Sequence, residues 1–467
     1  MKQETFIKIG FWSLITTLVA LCSFYIMHNA AWLLGDDCQT LMYTGWDEPI
    51  FGFFVSPTLG RFFPLDYTIY DVLCLFYKGQ IPPSAHYFIH VICFIGFVGA
   101  FIGLSFFILK NQKAIWKYVI TLIVVVLVIG RTYINFAQCW TGIWTIHTFL
   151  ALFLYCNIKF VETKKWIHAI IALLSINYIL YYYETMFIIP LAIGICSLIF
   201  SRNQLSRKEI TYYMLLIASG LLFLALYAVL VLPKVENFYG HHLDVSPIAN
   251  AAKMFYAQKL MWISVVFLLV RLYHFLKHNA KYCIYDSLLL ASCAFFCGSA
   301  FLNLDFTLYY VPGSLVAIPS ILYFSIQYLK EKWTLILFIV LALFYGRKIP
   351  KDIRSNQKSR IETYDKVHQF IQQQNGKTSY FYEPLNESLA DWQLDIRKVR
   401  CEYLETVAGW YMRDREFEII RKTEFNNENG LWQVVTEDQK TFLQQCPSAQ
   451  VVVDFNESKI YKVNANK

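Results

Sequence analysis

Two adjacent carboxylates, Asp36 and Asp37, follow closely on the first long apolar segment of a chain otherwise composed for lipid. A carboxylate held against an incoming hydroxyl can take its proton as general base. Two neighbouring anions repel, so burying both requires a cation or a metal beside them. Arg61, in Gly60-Arg61-Phe62-Phe63-Pro64, is the natural local partner, and its guanidinium fork also suits phosphate oxygens. Glu184 closes Tyr181-Tyr182-Tyr183-Glu184 at the edge of an apolar run, where acids usually line a cavity. Arg131 and His147 flank another short outer loop with Trp140 and Trp144, and either suits an anionic group. Each residue also has a plain structural use: a solvated helix-capping pair for the aspartates, a headgroup anchor for Arg61, an interior or interfacial position for the others.

These groups must be positioned by membrane helices. The chain has 467 residues, 57% hydrophobic and only 16% charged, against about 25% charged in an ordinary soluble domain. Reading for apolar stretches of roughly 17–25 residues gives about eleven spans. They fall near Phe6–Met27, His86–Leu109, Tyr118–Ala137, Gly142–Tyr155, Trp166–Tyr182, Thr185–Phe200, Tyr212–Leu232, Leu260–Leu276, Ile284–Phe301, Tyr310–Leu329 and Trp333–Tyr345. The first is too long for a signal-peptide core and reads as a retained anchor.

Charge alternates between the intervening loops. Lys2 and Lys8, then Lys110, Lys113 and Lys117, then Lys159, Lys164 and Lys165 fall on one side. Arg202, Arg207, Lys208, Lys277, Lys281, Lys330 and Lys332 continue it, while Asp36, Asp37, Asp47, Glu48, Asp66, Asp71, Glu184, Glu236, Asp244 and Asp305 fall opposite. The positive-inside rule then puts the amino terminus in the cytoplasm and the acidic loops outside. An odd number of spans places the tail outside too, although Arg347, Lys348, Lys351 and Arg354 follow the last span; long domains translocate largely regardless of charge. The formal charge of +8 does not indicate nucleic acid, because from Arg347 onward nineteen Lys and Arg meet eighteen Asp and Glu. The excess belongs to the short loops of the membrane part.

The expected organisation is a transmembrane unit over residues 1–345, with a first outer loop at 28–85, and a small α+β domain over 346–467. In the tail Ile361, Tyr364, Val367 and Ile371 repeat at helical spacing; Thr378–Tyr382 reads as a strand, and Gln450–Phe455 with Lys459–Val463 as a hairpin. Within the first outer loop Trp46, Phe51, Phe53 and Phe54 suggest a short interfacial helix. No Gly-x-Gly-x-x-Gly or Walker A segment, Gly-x-Ser-x-Gly elbow or His-Glu-x-x-His helix occurs. His241-His242 with Glu236 and Asp244 has metal-ligand composition, but adjacent histidines do not readily face one ion. Cys293-x-x-x-Cys297 has no second ligand pair nearby, and spacing alone leaves open whether Cys401 and Cys446 are bridged.

Cytoplasmic amino terminus, Gly35-Asp36-Asp37 close behind the first span, a long first outer loop and a tail domain on that side together resemble the GT-C superfamily of polytopic glycosyltransferases. Gly60-Arg61-Phe62-Phe63-Pro64 resembles a Gly-Arg element of bacterial members that decorate surface polysaccharides. The resemblance covers the membrane region; the tail matches nothing nameable. It implies an α-helical polytopic fold of about eleven spans, a polyprenyl-phosphate-linked sugar donor, a glycan or lipid-linked acceptor, and residence in the bacterial inner membrane with chemistry on the outer face. It implies Asp36 or Asp37 as general base, Arg61 aided by Arg131 at the leaving phosphate, and Glu184 orienting the acceptor or the second carboxylate. No cofactor is indicated, and a divalent metal is left open. A surface-polysaccharide polymerase or ligase is the alternative enzyme. A transporter for a lipid-linked glycan is the non-catalytic alternative, disfavoured because no internal repeat is evident and the polar residues gather at one surface.

Overall fold

The computed structural model describes residues 2–28, 30, 55–65, 68–77, 81–137, 142–236, 248–249, 252, 258–301, 307–347 and 349–352, and in the tail four strands. The helices are α1 (Lys2–His28), α2 (Thr68–Tyr77), α3 (Pro83–Ile108), α4 (Ala114–Ala137), α5 (Ile143–Thr163) and α6 (Trp166–Leu180). They continue as α7 (Ile188–Ser201), α8 (Arg207–Leu230), α9 (Lys259–His278), α10 (Ile284–Phe301) and α11 (Val311–Gly346). Every predicted span has a helical counterpart. The last two share α11, which kinks at Lys330 (φ 63°, ψ 175°), where Lys330-Glu331-Lys332 interrupts the apolar run. Among the described residues, seven helical stretches are long and apolar enough to cross a bilayer by themselves. The protein is a multi-pass α-helical membrane protein.

Local chemistry sets where the helices start and stop. Pro83 opens α3 at a position whose N–H has no intrahelical partner to lose. Ser206 and Glu209 form a reciprocal capping box at the start of α8. Left-handed Lys164 and Asn279 close α5 and α9. The fourth span is longer than predicted, running to Thr163 rather than Tyr155, because Lys159 turns its ammonium onto the Tyr155 hydroxyl at 2.7 Å and stays in the helix.

Contacts between helices sort into the two ends that alternation requires. At the lysine-rich end, Lys110 pairs with Glu162, Lys164 with Glu209, and Arg271 with Asp286. At the other end the α6–α7 turn, the close of α8 and the first loop meet. Where α11 closes, small residues bring backbones together: a Cβ on Gly130 of α4 would lie 3.2 Å from the Gly346 nitrogen of α11. Such approaches replace the hydrophobic drive that lipid cannot supply.

The first loop holds structure that its sequence did not announce. Val55–Ser56 (β1) pairs antiparallel with Arg61–Phe62 (β2) across a 3-10 turn, and α2 follows. The interfacial helix expected around Trp46–Phe54, like Asp36 and Asp37, lies outside the described residues. In the tail, β3 (Ser379–Tyr382), β4 (Phe417–Ile420), β5 (Gln450–Asp454) and β6 (Lys459–Val463) form one sheet in the order β4-β3-β6-β5. The expected hairpin is β5–β6, with a bulge between Val451 and Val453, and the expected strand is β3. The parallel neighbour β4 was not foreseen, and the helix expected over 361–371 lies outside the described residues.

Candidate active site

Gly60 sits at φ 70° in the turn of the β1–β2 hairpin, its N–H donating to the Pro57 carbonyl at 3.0 Å. Glycine meets that left-handed requirement without a Cβ penalty. The turn is fixed from three sides. The Tyr227 hydroxyl of α8 donates to the Gly60 carbonyl at 2.8 Å, the Glu236 N–H to the Thr58 carbonyl at 3.0 Å, and the Leu65 N–H to the Tyr181 carbonyl at 3.0 Å. Arg61 is therefore presented by a small, anchored hairpin rather than a free loop.

Glu184 receives that hairpin. Its Oε1 accepts from Arg61 Nε at 3.0 Å and from the Phe62 N–H at 2.9 Å. Of the guanidinium donors Glu184 engages Nε alone, so the bond fixes the plane of the fork while its other edge faces away from the carboxylate. The Phe63 ring lies under the guanidinium, 4.5 Å from Cζ. Both side chains keep part of their surface accessible, 25% for Arg61 and 20% for Glu184. Burial disfavours the Arg61 cation most, but the charge and hydrogen bond of Glu184 more than offset it, and its pKa lies above the ordinary arginine value. Burial likewise pushes the Tyr183 phenol far above its usual range, so it remains a neutral donor; its ring stacks on Tyr309 at 5.8 Å. The aspartate pair expected beside Arg61 lies outside the described residues; the carboxylate described on it is Glu184, which spacing did not suggest, across 123 residues of sequence.

Arg131 stands at another corner. Its Nη2 donates to Gln258 Oε1 at 3.0 Å and its guanidinium lies over the Tyr345 ring, 5.2 Å from the centroid. The partners described for it are the N-cap residue of α9 and a ring of α11, while the carboxylate on Arg61 comes from the α6–α7 turn. Close by, His147 is fully buried, with Nε2 2.8 Å from Asn135 Nδ2.

A third polar group was missed. His86 and His90 lie one turn apart on α3, both fully buried. His90 Nδ1 is 3.0 Å from the Phe136 carbonyl and its Nε2 is 3.0 Å from His86 Nδ1. A carbonyl only accepts, so His90 carries its proton on Nδ1; a neutral His90 then accepts from His86 Nδ1–H. Trp144 packs on His90 at 4.0 Å and Tyr70 on His86 at 4.5 Å. The i, i+4 histidine spacing was the available signal. Among the described residues no three His, Cys, Asp or Glu side chains converge as a metal site would require.

Gly142 ties α5 to this end. Its φ is 48°, and a Cβ built there would overlap the Tyr182 hydroxyl. Gly142→Ala is therefore expected to cost about 1–3 kcal/mol through overpacking and left-handed strain. Thermal unfolding of purified protein checks it; an unchanged midpoint contradicts the packing described.

The chain is similar along nearly its whole length to the crystal structure of ArnT from Cupriavidus metallidurans bound to undecaprenyl phosphate. The alignment covers 97% of this chain and 98% of that one, with a TM-score of 0.50 and 11% identity. The chain has a GT-C-like fold. A second likeness, to an oligosaccharyltransferase of Archaeoglobus fulgidus in complex with zinc and sulfate, covers 71% of this chain and 52% of that one at a TM-score of 0.37 and 14% identity. No protein-family model matches the sequence, and no curated protein does. The GT-C-like fold is therefore carried by helix arrangement, with almost no residue identity beneath it. α1 closes at this end of the bundle, where its Cys22 carbonyl accepts from the Tyr133 hydroxyl of α4 at 3.3 Å; Asp36 and Asp37 lie outside the described residues.

Proposed function

We propose that this protein is a membrane glycosyltransferase that moves a sugar from a polyprenyl-phosphate donor to a cell-surface glycan or lipid-linked acceptor. The whole-length likeness to a protein crystallised with undecaprenyl phosphate carries this reading. A polyprenyl tail keeps its phosphate near the headgroup plane, the depth at which the anchored Arg61 hairpin meets the helix ends. The acceptor hydroxyl attacks the anomeric carbon while the bond from that carbon to the phosphate oxygen breaks. The bond's electron pair leaves with the polyprenyl phosphate, and Asp36 or Asp37 takes the acceptor proton. Attack opposite the leaving group inverts the anomeric centre through a transition state of oxocarbenium character. Arg61, with Arg131, stabilises the departing phosphate. Glu184, which holds Arg61 through Nε, acts as a positioning residue for that guanidinium.

Full-length protein in proteoliposomes, given purified polyprenyl-phosphate monosaccharide and a membrane extract as acceptor source, is expected to release polyprenyl phosphate. Release confined to oligosaccharide-bearing lipids would favour a polymerase or ligase instead, and translocation without release a transporter.

The same reading puts the protein in a bacterial inner membrane, amino terminus inside, with the 346–467 region outside. A periplasmic reporter fused after Lys467 is expected to be active. Activity from a cytoplasm-dependent reporter at that position would show the span count to be wrong by one.

A further inference from the structure

At the lysine-rich end, remote from the Arg61 hairpin, α7, α9 and α10 enclose a cavity of about 740 Å³. Its floor is a buried ion pair. Arg271 donates through Nε and Nη2 to the two oxygens of Asp286, at 2.6 and 2.8 Å. It donates further to the Lys281 carbonyl at 2.9 Å and the Tyr328 hydroxyl at 2.8 Å. Asp286 also accepts from the Cys283 N–H at 2.9 Å. This network holds the 279–283 turn rigidly against α9, and the charges of its two members cancel.

What remains at the mouth is cationic. Lys281 lines the cavity, is exposed, and makes no ion pair among the described residues. Asn279 and Gln204 add uncharged polar groups beside it. The walls are apolar, and Phe200, Leu269 and Leu272 are open to the bilayer. The apolar walls belong to the membrane helices α7, α9 and α10, and the turn that carries Lys281 joins α9 to α10 at the lysine-rich end. A water-soluble ligand would gain nothing from walls open sideways to lipid. A neutral lipid would leave the ammonium uncompensated, whereas a phosphate at that point is matched by charge.

We propose that this cavity binds one anionic diacyl phospholipid, its phosphate on Lys281 and an acyl chain along Leu269 and Leu272. The site is independent of the transfer reaction.

Native mass spectrometry of full-length protein released from nanodiscs of mixed phosphatidylglycerol and phosphatidylcholine tests it. Wild type is expected to retain one phosphatidylglycerol in preference to phosphatidylcholine. Lys281→Gln should weaken that retention about fivefold, and Leu272→Trp should remove it by filling the cavity. Lys332→Gln, an exposed lysine at the same end but outside the cavity, should behave as wild type. Leu290→Trp serves if Leu272→Trp is not monodisperse. Equal retention of the two lipids, wild-type retention by Lys281→Gln, or displacement by excess glycerol phosphate would each overturn the proposal.

Discussion

Asp36→Asn and Asp37→Asn are expected to lower turnover of a polyprenyl-phosphate sugar by about 10²–10⁴-fold in whichever variant removes the base, with little change in thermal stability. That factor corresponds to about 3–5 kcal/mol of barrier. Asparagine keeps the size and one oxygen of aspartate but cannot accept the acceptor proton. The paired design assigns the role. One variant should lose the chemical step, with KM little altered, while its neighbour loses less. Raising the pH should rescue neither, since the missing group is not merely protonated. Wild-type turnover in both variants would remove the aspartates from the mechanism, and a collapse of stability in both would return them to helix capping.

Arg61→Ala is expected to cost about 10²–10³ in kcat, the loss seen when one donor to a developing anion is deleted. Two comparisons separate catalysis from scaffolding. Glu184→Gln keeps an oxygen for the Phe62 N–H and Arg61 Nε but removes the charge that supports the cation. It should fall about tenfold, with the hairpin intact. Glu184→Ala leaves both donors short of an acceptor, costing about 1–3 kcal/mol of stability along with activity. Arg61→Lys should recover little, because an ammonium cannot hold Glu184 with one edge and present a planar fork with the other. Activity of Arg61→Ala close to wild type would make the Arg61–Glu184 pair a structural clamp. Loss in Arg61→Ala with wild-type activity in Glu184→Gln would keep the cation and discard the positioning role.

Much of the architecture was legible along the chain. Spans are set by bilayer thickness and by the need to satisfy every backbone group within a helix, so apolar runs between lysine-bearing loops located eleven helical runs without any knowledge of packing. Even the kink in α11 was visible as Lys330-Glu331-Lys332. The same local logic found β3 and the β5–β6 hairpin, but not β4, whose parallel pairing with β3 is a crossover that no adjacent turn announces. The residue types of the proposed site were legible too, since carboxylates and arginines stand out against lipid-facing sequence.

What the chain alone did not determine is which of these groups meet. Arg61 and Glu184 are joined because a two-residue strand pair is pinned by Tyr227 and the Tyr181 carbonyl, contacts between segments more than a hundred residues apart. Arg131 was grouped with Arg61 by charge, yet its described partners are the N-cap of α9 and a ring of α11, because the helix carrying it turns that face toward Gln258 and Tyr345. The histidines of α3 share a helix face by spacing, but only folding lays the Phe136 carbonyl and Trp144 against them. Hydropathy and loop charge are one-dimensional quantities that a membrane reads directly; the face a helix turns to its neighbours depends on side-chain packing, which only the assembled bundle fixes.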